Sequence, residues 1–230
     1  MTSSEIIAVF SSGLATFCVA VTIGLGAWCL AISFDRHKAL RKSDQASTRF
    51  LKQFSETSRL ADLFYAGPNN ITSGTGAASI FHATMAQQIR LDKAGAVPIE
   101  VALFTAQRQV AHAIQLEVTH LDHGVNALGT IAAITPFVGL LGTVAGIVTA
   151  LTTGNLADSA QIDHLIQQIG EALTATGVGL FVAIGATYLF NDLQSCIANL
   201  VGHFENFSDE IIIRRATELA GEGRCTKVIA

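Results

Sequence analysis

The sequence predicts an all-α membrane protein with three transmembrane helices and long cytoplasmic helical extensions. Three observations carry that reading. Half of the 230 residues are hydrophobic and only 14% are charged, against roughly 25% charged in average soluble domains. Three stretches, residues 6–34, 124–157 and about 162–190, are apolar and long enough to cross a bilayer, which needs about 20 residues. Lysine and arginine are unevenly placed, with none between Gln109 and Ile213.

The first stretch carries no formal charge. A cleaved signal peptide is excluded as its reading, because residues 1–5 hold no Lys or Arg and the apolar run is too long for such a segment. Trp28 lies near its far end, where it either anchors at the interface or packs in the span. Arg36, Lys38, Arg41, Lys42, Arg49 and Lys52 follow closely. The excess of positive charge assigns this side to the cytoplasm and the N-terminus to the outside.

Apolar positions from Phe50 to Phe64 then recur with helical spacing, so a helix is expected over residues 36–65. The turn Gly67-Pro68-Asn69-Asn70 and the Ser/Thr/Gly run up to Gly76 end it. A second cytoplasmic helix is expected over residues 77–94. A third starts with Pro98 near its first turn and runs straight into the second span.

That span ends at Gly154-Asn155. The connector after it holds Asp158 and Asp163 without a basic residue, which places it outside. The third span follows, and a mixed helix from Asp192 to about Leu219 returns Arg214 and Arg215 to the inside. The domains are therefore residues 1–34 (N-terminal transmembrane helix), 35–123 (cytoplasmic helical region), 124–195 (transmembrane helix pair, the core) and 196–230 (cytoplasmic C-terminal helix and tail).

Cys18, Cys29, Cys196 and Cys225 show no metal-type or redox-type spacing, so neither disulfides nor a metal nor another cofactor is expected. His112, His120 and His123 near Glu117 could share a helix face, but a solvated helix surface explains them better than metal ligation. The sequons at Asn70 and Asn206 fall on the expected cytoplasmic side and are discounted. No nucleotide-binding loop, paired catalytic constellation or basic nucleic-acid face is present, so neither an enzyme nor a nucleic-acid binder is expected.

The chemistry concentrates in the helix pair. Glu171 lies about 12 Å along a helix from Asp163, well inside the third span. An ionisable group at membrane depth is costly and marks a candidate functional site. Its competing reading is an interfacial carboxylate that reaches headgroups or pairs with another subunit. Thr143 and Thr176 place one hydroxyl in each span, and each can order water or solvate a passing proton. Many membrane threonines only bond back to their own helix, however, and Thr174 fits that role. Gly139, Gly142 and Gly146 form one small-residue face, and Thr176, Gly179, Ala183 and Ala186 form another. Such faces allow close helix approach, here expected between like subunits. Pro136 removes one backbone hydrogen bond and is expected to kink the second span.

These residues also carry a resemblance. Pro136, Gly139, Leu140, Gly142, Thr143, Val144 and Gly146, followed by Ile169, Glu171, Ala172, Leu173, Ala175, Thr176, Gly179 and Leu180, resemble the two core motifs of the ExbB/TolQ proton-channel family. Ala145 departs where many members place an aromatic, and Thr174 where an aliphatic is common. The resemblance implies a proton-channel subunit of a motor driven by the proton-motive force in the bacterial inner membrane. It implies a homo-oligomer (a pentamer), a single-span partner of the ExbD/TolR type and a transducer of the TonB/TolA type. Glu171, Thr143 and Thr176 would line the proton pathway, with Pro136, Gly139, Gly142, Gly146 and Gly179 serving helix packing or pore lining. The alternative is a non-conducting membrane scaffold that holds and orients a single-span partner. The residues leave the TolQ and ExbB roles undivided.

Overall fold

A computed structural model describes residues 3–57, 59–65, 76–94, 98–153 and 159–221. The described residues form α-helices and no strand. In chain order these are α1 (Ser3–Glu56), α2 (Leu60–Tyr65), α3 (Ala77–Ala94), α4 (Ile99–Asp122), α5 (Val125–Thr153) and α6 (Ser159–Gly221). Three of them, α1, α5 and α6, are long and apolar enough to cross a membrane. The expected turns at Gly67–Asn70 and Gly154-Asn155, and the sequon at Asn70, lie outside the described residues.

Three expectations change. The first span and the helix after it are a single helix, because nothing between Asp35 and Glu56 breaks it; charge alters what surrounds a helix without ending it. This helix ends at Glu56, and the short α2 begins at Leu60. Secondly, α4 does not run straight into the second span. It stops at Asp122, and Gly124 takes φ +88°, a left-handed conformation that glycine adopts without penalty. Thirdly, the third span and the mixed helix after Asp192 are one helix, α6. The helix expected over residues 77–94 is α3, and the carbonyl of Pro98 accepts the Ala102 N–H at 3.0 Å in the first turn of α4.

Contacts divide the chain into two compact units. One joins residues 1–36 to 124–193, and the other joins 37–123 to 194–230.

The first unit packs α5 with the early parts of α1 and α6. Much of its interior is small: Cys18, Cys29, Ala145, Ala150, Ala172, Ala175, Ala183 and Ala186 are buried. Many of its large apolar side chains, among them Phe17, Trp28, Phe137, Phe181 and Tyr188, are exposed. In water that arrangement would be unstable. In lipid, apolar surface gains nothing by leaving the solvent, so close packing of small residues holds helices together. The glycine faces of α5 and α6 meet each other inside one chain. A Cβ on Gly139 would lie 3.1 Å from the Ala175 carbonyl oxygen and 3.3 Å from Gly179 Cα, and one on Gly146 would lie 2.6 Å from Ala172 Cβ. α5 remains helical through Pro136.

The second unit is built the opposite way, with large side chains inside. Phe50, Phe54, Phe81 and Phe207 interlock with ring centroids 4.9–6.5 Å apart, joined by buried Phe204, Ile211 and Leu219. This is an aromatic core of the kind that water drives together. His82 sits against Phe64 and Phe81, at centroid distances of 5.4 and 5.7 Å, and burial lowers its pKa, so it packs as a neutral ring.

Charged side chains close the helix ends of this unit. Arg214 donates to the Phe54 and Thr57 carbonyls at 2.8 and 3.0 Å, and its guanidinium stacks 4.2 Å over Phe54. Glu218 accepts the Leu60 N–H at 2.9 Å. Arg215 is buried and pairs with Asp92 at 2.5 Å. Glu117, expected on a solvated surface, is buried; its carboxylate accepts the Gly76 N–H at 2.6 Å and the Ser79 hydroxyl at 3.0 Å, closing the N-terminus of α3. His112, His120 and His123 remain exposed. Glu117→Ala is expected to lower stability by about 1–3 kcal/mol, the cost of a buried donor left unpaired. Thermal unfolding in detergent measures this, and Glu117→Gln, which keeps one acceptor, should lose less. An unchanged melting temperature in Glu117→Ala would show that the cap contributes nothing.

Candidate functional site

Thr176 behaves differently from most threonines of its unit. Thr22, Thr135, Thr143, Thr149, Thr174 and Thr187 each donate to a carbonyl three or four residues back on their own helix. Thr176 instead crosses from α6 to α5. Its hydroxyl lies 3.2 Å from the Gly139 carbonyl oxygen and 3.3 Å from Thr143 Oγ1. The crossing depends on the absent side chain at Gly139, where a Cβ would come within 3.2 Å of Thr176 Cα. Glycine brings the two backbones together, and a hydroxyl can then reach the facing carbonyl.

Thr143 is buried and donates to the Leu140 carbonyl at 2.7 Å, so its oxygen is left to accept from Thr176. The lone pairs of Thr176 remain available to an incoming O–H. The single Thr176 hydroxyl proton is shared between Thr143 Oγ1 and the Gly139 carbonyl, so the pair is a two-helix hydroxyl station.

Glu171 stands apart from that station. It is exposed, and its carboxylate accepts the Gln167 side-chain N–H at 3.1 Å. Five residues separate it from Thr176, so the two lie about 7.5 Å apart along the helix and roughly 140° apart around it. Glu171 instead lines a groove of about 570 Å³ bounded by Ser12 and Thr16 of α1, Gly142, Gly146 and Thr149 of α5, and Gln168 of α6. The structure thus brings Thr143 and Thr176 together and places Glu171 on a different face.

The groove gives Glu171 polar company that the spacing of its own helix did not announce. Ser12 and Thr16 sit one helical turn apart in a largely apolar span. Ser11 and Thr149 meet through their hydroxyls at 2.6 Å and tie α1 to α5. The Ser11-Ser12 and Thr16 positions were the available signal for a polar strip on α1.

The glycines divide by what they face. Gly139 and Gly179 oppose each other, and a Cβ on Gly179 would lie 3.1 Å from both Gly139 Cα and the Thr135 carbonyl oxygen. Gly142 faces Cys18 Cβ of α1 at 3.2 Å, so its neighbour is a side chain and not backbone. Pro136 lies between Thr135 and Gly139 on this contact stretch and is half-buried. Among the described residues, no group of three or more His, Cys, Asp or Glu side chains is arranged to hold a metal ion.

Residues 75–206, more than half of the chain and including Thr143, Glu171 and Thr176, match the MotA/TolQ/ExbB proton channel family. The chain belongs to that family. It is 30% identical over 193 residues to the Tol-Pal system protein TolQ of Haemophilus influenzae, covering 84% of this chain and 83% of that protein. TolQ of Pseudomonas aeruginosa is 29% identical over 177 residues, 77% of each chain. The biopolymer transport protein ExbB of Xanthomonas campestris is 40% identical over 104 residues, 45% of this chain. The match spans only about two fifths of that ExbB, 41% of its length. As a MotA/TolQ/ExbB member with three apolar helices, the chain is a multi-pass membrane protein of a proton-channel family.

Proposed function

We propose that this chain is the inner-membrane proton-channel subunit of a motor driven by the proton-motive force, of the TolQ/ExbB type. The motor energises an outer-membrane process. The subunits form a homo-oligomer, a pentamer by family resemblance. They enclose a single-span partner of the TolR/ExbD type, and a TolA/TonB-like transducer carries the work outward. Residues 1–34 and 124–195 cross the bilayer with the N-terminus in the periplasm. Residues 35–123 and 196–230 are cytoplasmic.

The observation that carries this reading is the crossing of Thr176 to Gly139 and Thr143. A hydroxyl that bonds only its own helix can be purely structural. One that bridges two spans and keeps its lone pairs can receive a proton-bearing water. Glu171 supplies the titratable group and the threonines supply solvation, so a proton taken up at Glu171 passes through ordered water toward the membrane-embedded Asp that the family resemblance gives the single-span partner.

Thr176→Val tests the proposal, because it is nearly isosteric and removes only the hydroxyl. Motor-dependent outer-membrane integrity is measured alongside the abundance of the complex. Normal abundance with a several-fold loss of function is the expected result. Wild-type function at normal abundance would remove the hydroxyl from the pathway and favour the non-conducting scaffold.

A further inference from the structure

In the second unit, α1 and α6 leave a cleft of about 290 Å³ lined by His37, Leu40, Arg41 and Asp44 on one side and by Cys196, Asn199, Leu200 and His203 on the other. We propose that this cleft holds the phosphate diester of an anionic membrane lipid.

Its chemistry is two-sided. Leu40 and Leu200 are buried at 6% and 5% exposure and form an apolar floor. Above them stand hydrogen-bond donors from both helices: the Arg41 guanidinium, the Asn199 amide and the His203 imidazole. Arg41 has no hydrogen-bond or ion-pair partner among the described residues, so its fork of donors is uncommitted. Guanidinium groups recognise phosphate oxygens in a bidentate manner.

Position favours a lipid. His37 and Arg41 lie three and seven residues past Phe34, about 4.5 and 10 Å along α1. A headgroup layer is about 5–7 Å deep, so the cleft opens within and just beyond it. Basic pockets between spanning helices on the cytoplasmic side are suited to anionic headgroups.

Charge separates the lipid from free phosphate. Asp44 lines the same cleft, and its carboxylate opposes Arg41 in the local charge balance. A small dianion would meet that carboxylate and gain nothing from Leu40 and Leu200. A lipid gains the apolar floor as well as the donors, and its single negative charge suffers less from Asp44.

The proposal rests on the cytoplasmic assignment of this side of the chain, but its test does not depend on proton flow. The full-length protein, purified in detergent, is supplied with equal amounts of dioleoyl phosphatidylglycerol and dioleoyl phosphatidylcholine. Retained lipid is counted by native mass spectrometry. Several-fold preference for phosphatidylglycerol is expected. Arg41→Gln with His203→Gln should abolish the preference, whereas Asp44→Asn should increase it. Opposite effects from removing basic and acidic groups of one cleft are not produced by misfolding. Equal retention of the two lipids, or unchanged preference in either variant, would overturn the proposal. Displacement of phosphatidylglycerol by excess inorganic phosphate would overturn it as well, assigning the cleft to a soluble anion. A variant that loses phosphatidylglycerol but keeps proton flux leaves the channel reading intact, and Thr176→Val failing its own test leaves the lipid site intact.

Discussion

Glu171→Gln is expected to assemble at normal abundance and to lose proton flux by roughly a hundredfold, the lower end of what a positioned acid–base group contributes. Glutamine matches glutamate in shape. Its carbonyl oxygen still accepts the Gln167 N–H, which lies 3.1 Å from the native carboxylate. The groove against Ser12, Thr16 and Thr149 keeps its lining. What disappears is the exchangeable proton. Because Glu171 is exposed within its unit, the substitution leaves no buried charge partner unpaired, and stability should hardly move. Glu171→Asp retains titration but withdraws the carboxyl by one methylene, so its flux should fall between the two. Proton uptake into liposomes containing the complex with its partner reads the effect directly. Wild-type flux in Glu171→Gln at equal protein density would mean that protons bypass this carboxylate, and the channel reading would lose its titratable group.

Much of the membrane part of the fold was legible because the bilayer imposes a length and a polarity that sequence must obey. Residues 6–34, 124–157 and 162–190 stand out on those grounds. The continuity of the helices was not legible in the same way. At Asp35 and again at Asp192 the composition changes from apolar to charged, which reads as a boundary. The backbone has no reason to stop there, since neither position brings a glycine or proline, and α1 and α6 run on. At Gly124 the opposite error arises. The charged cytoplasmic stretch gives way to an apolar span at His123-Gly124, which reads as one helix entering the bilayer, yet a single left-handed glycine separates α4 from α5.

The site was legible in its residues more than in its arrangement. Spacing shows that Gly139, Gly142 and Gly146 share a face, but not what that face meets. It meets α6 and α1 of the same chain. Spacing likewise cannot tell Thr176 from Thr143 or Thr174, since all are hydroxyls in apolar helices. Only the close approach at Gly139 decides that Thr176 bridges. The α1 lining of the Glu171 groove and the burial of Glu117 depend on contacts between residues far apart in sequence, and no local pattern encodes them.

That dependence on close approach leads to the largest structural effect expected. Gly139→Leu should destabilise the first unit by about 1–3 kcal/mol or more, the cost of forcing atoms into a filled contact. The obstacles are backbone: the Ala175 carbonyl oxygen at 3.1 Å, Thr176 Cα at 3.2 Å and Gly179 Cα at 3.3 Å from a Cβ at this position. Backbone cannot rotate aside as a side chain can, so α5 and α6 must separate. Separation also breaks the bond from Thr176 to the Gly139 carbonyl, so function should fail with stability. Gly142→Leu meets Cys18 Cβ at 3.2 Å and Ala175 Cβ at 3.5 Å, one tight contact where Gly139 has three, and should cost less. Gly177→Leu has no heavy atom within 4 Å and should cost nothing within the chain. Melting temperatures of the three purified variants in one detergent give the order directly. Since the contact is inside one chain, the loss in Gly139→Leu should not depend on protein concentration. A melting temperature for Gly139→Leu equal to that of Gly177→Leu would show that α5 and α6 do not meet at this glycine, and the geometry of the hydroxyl bridge would fall with it.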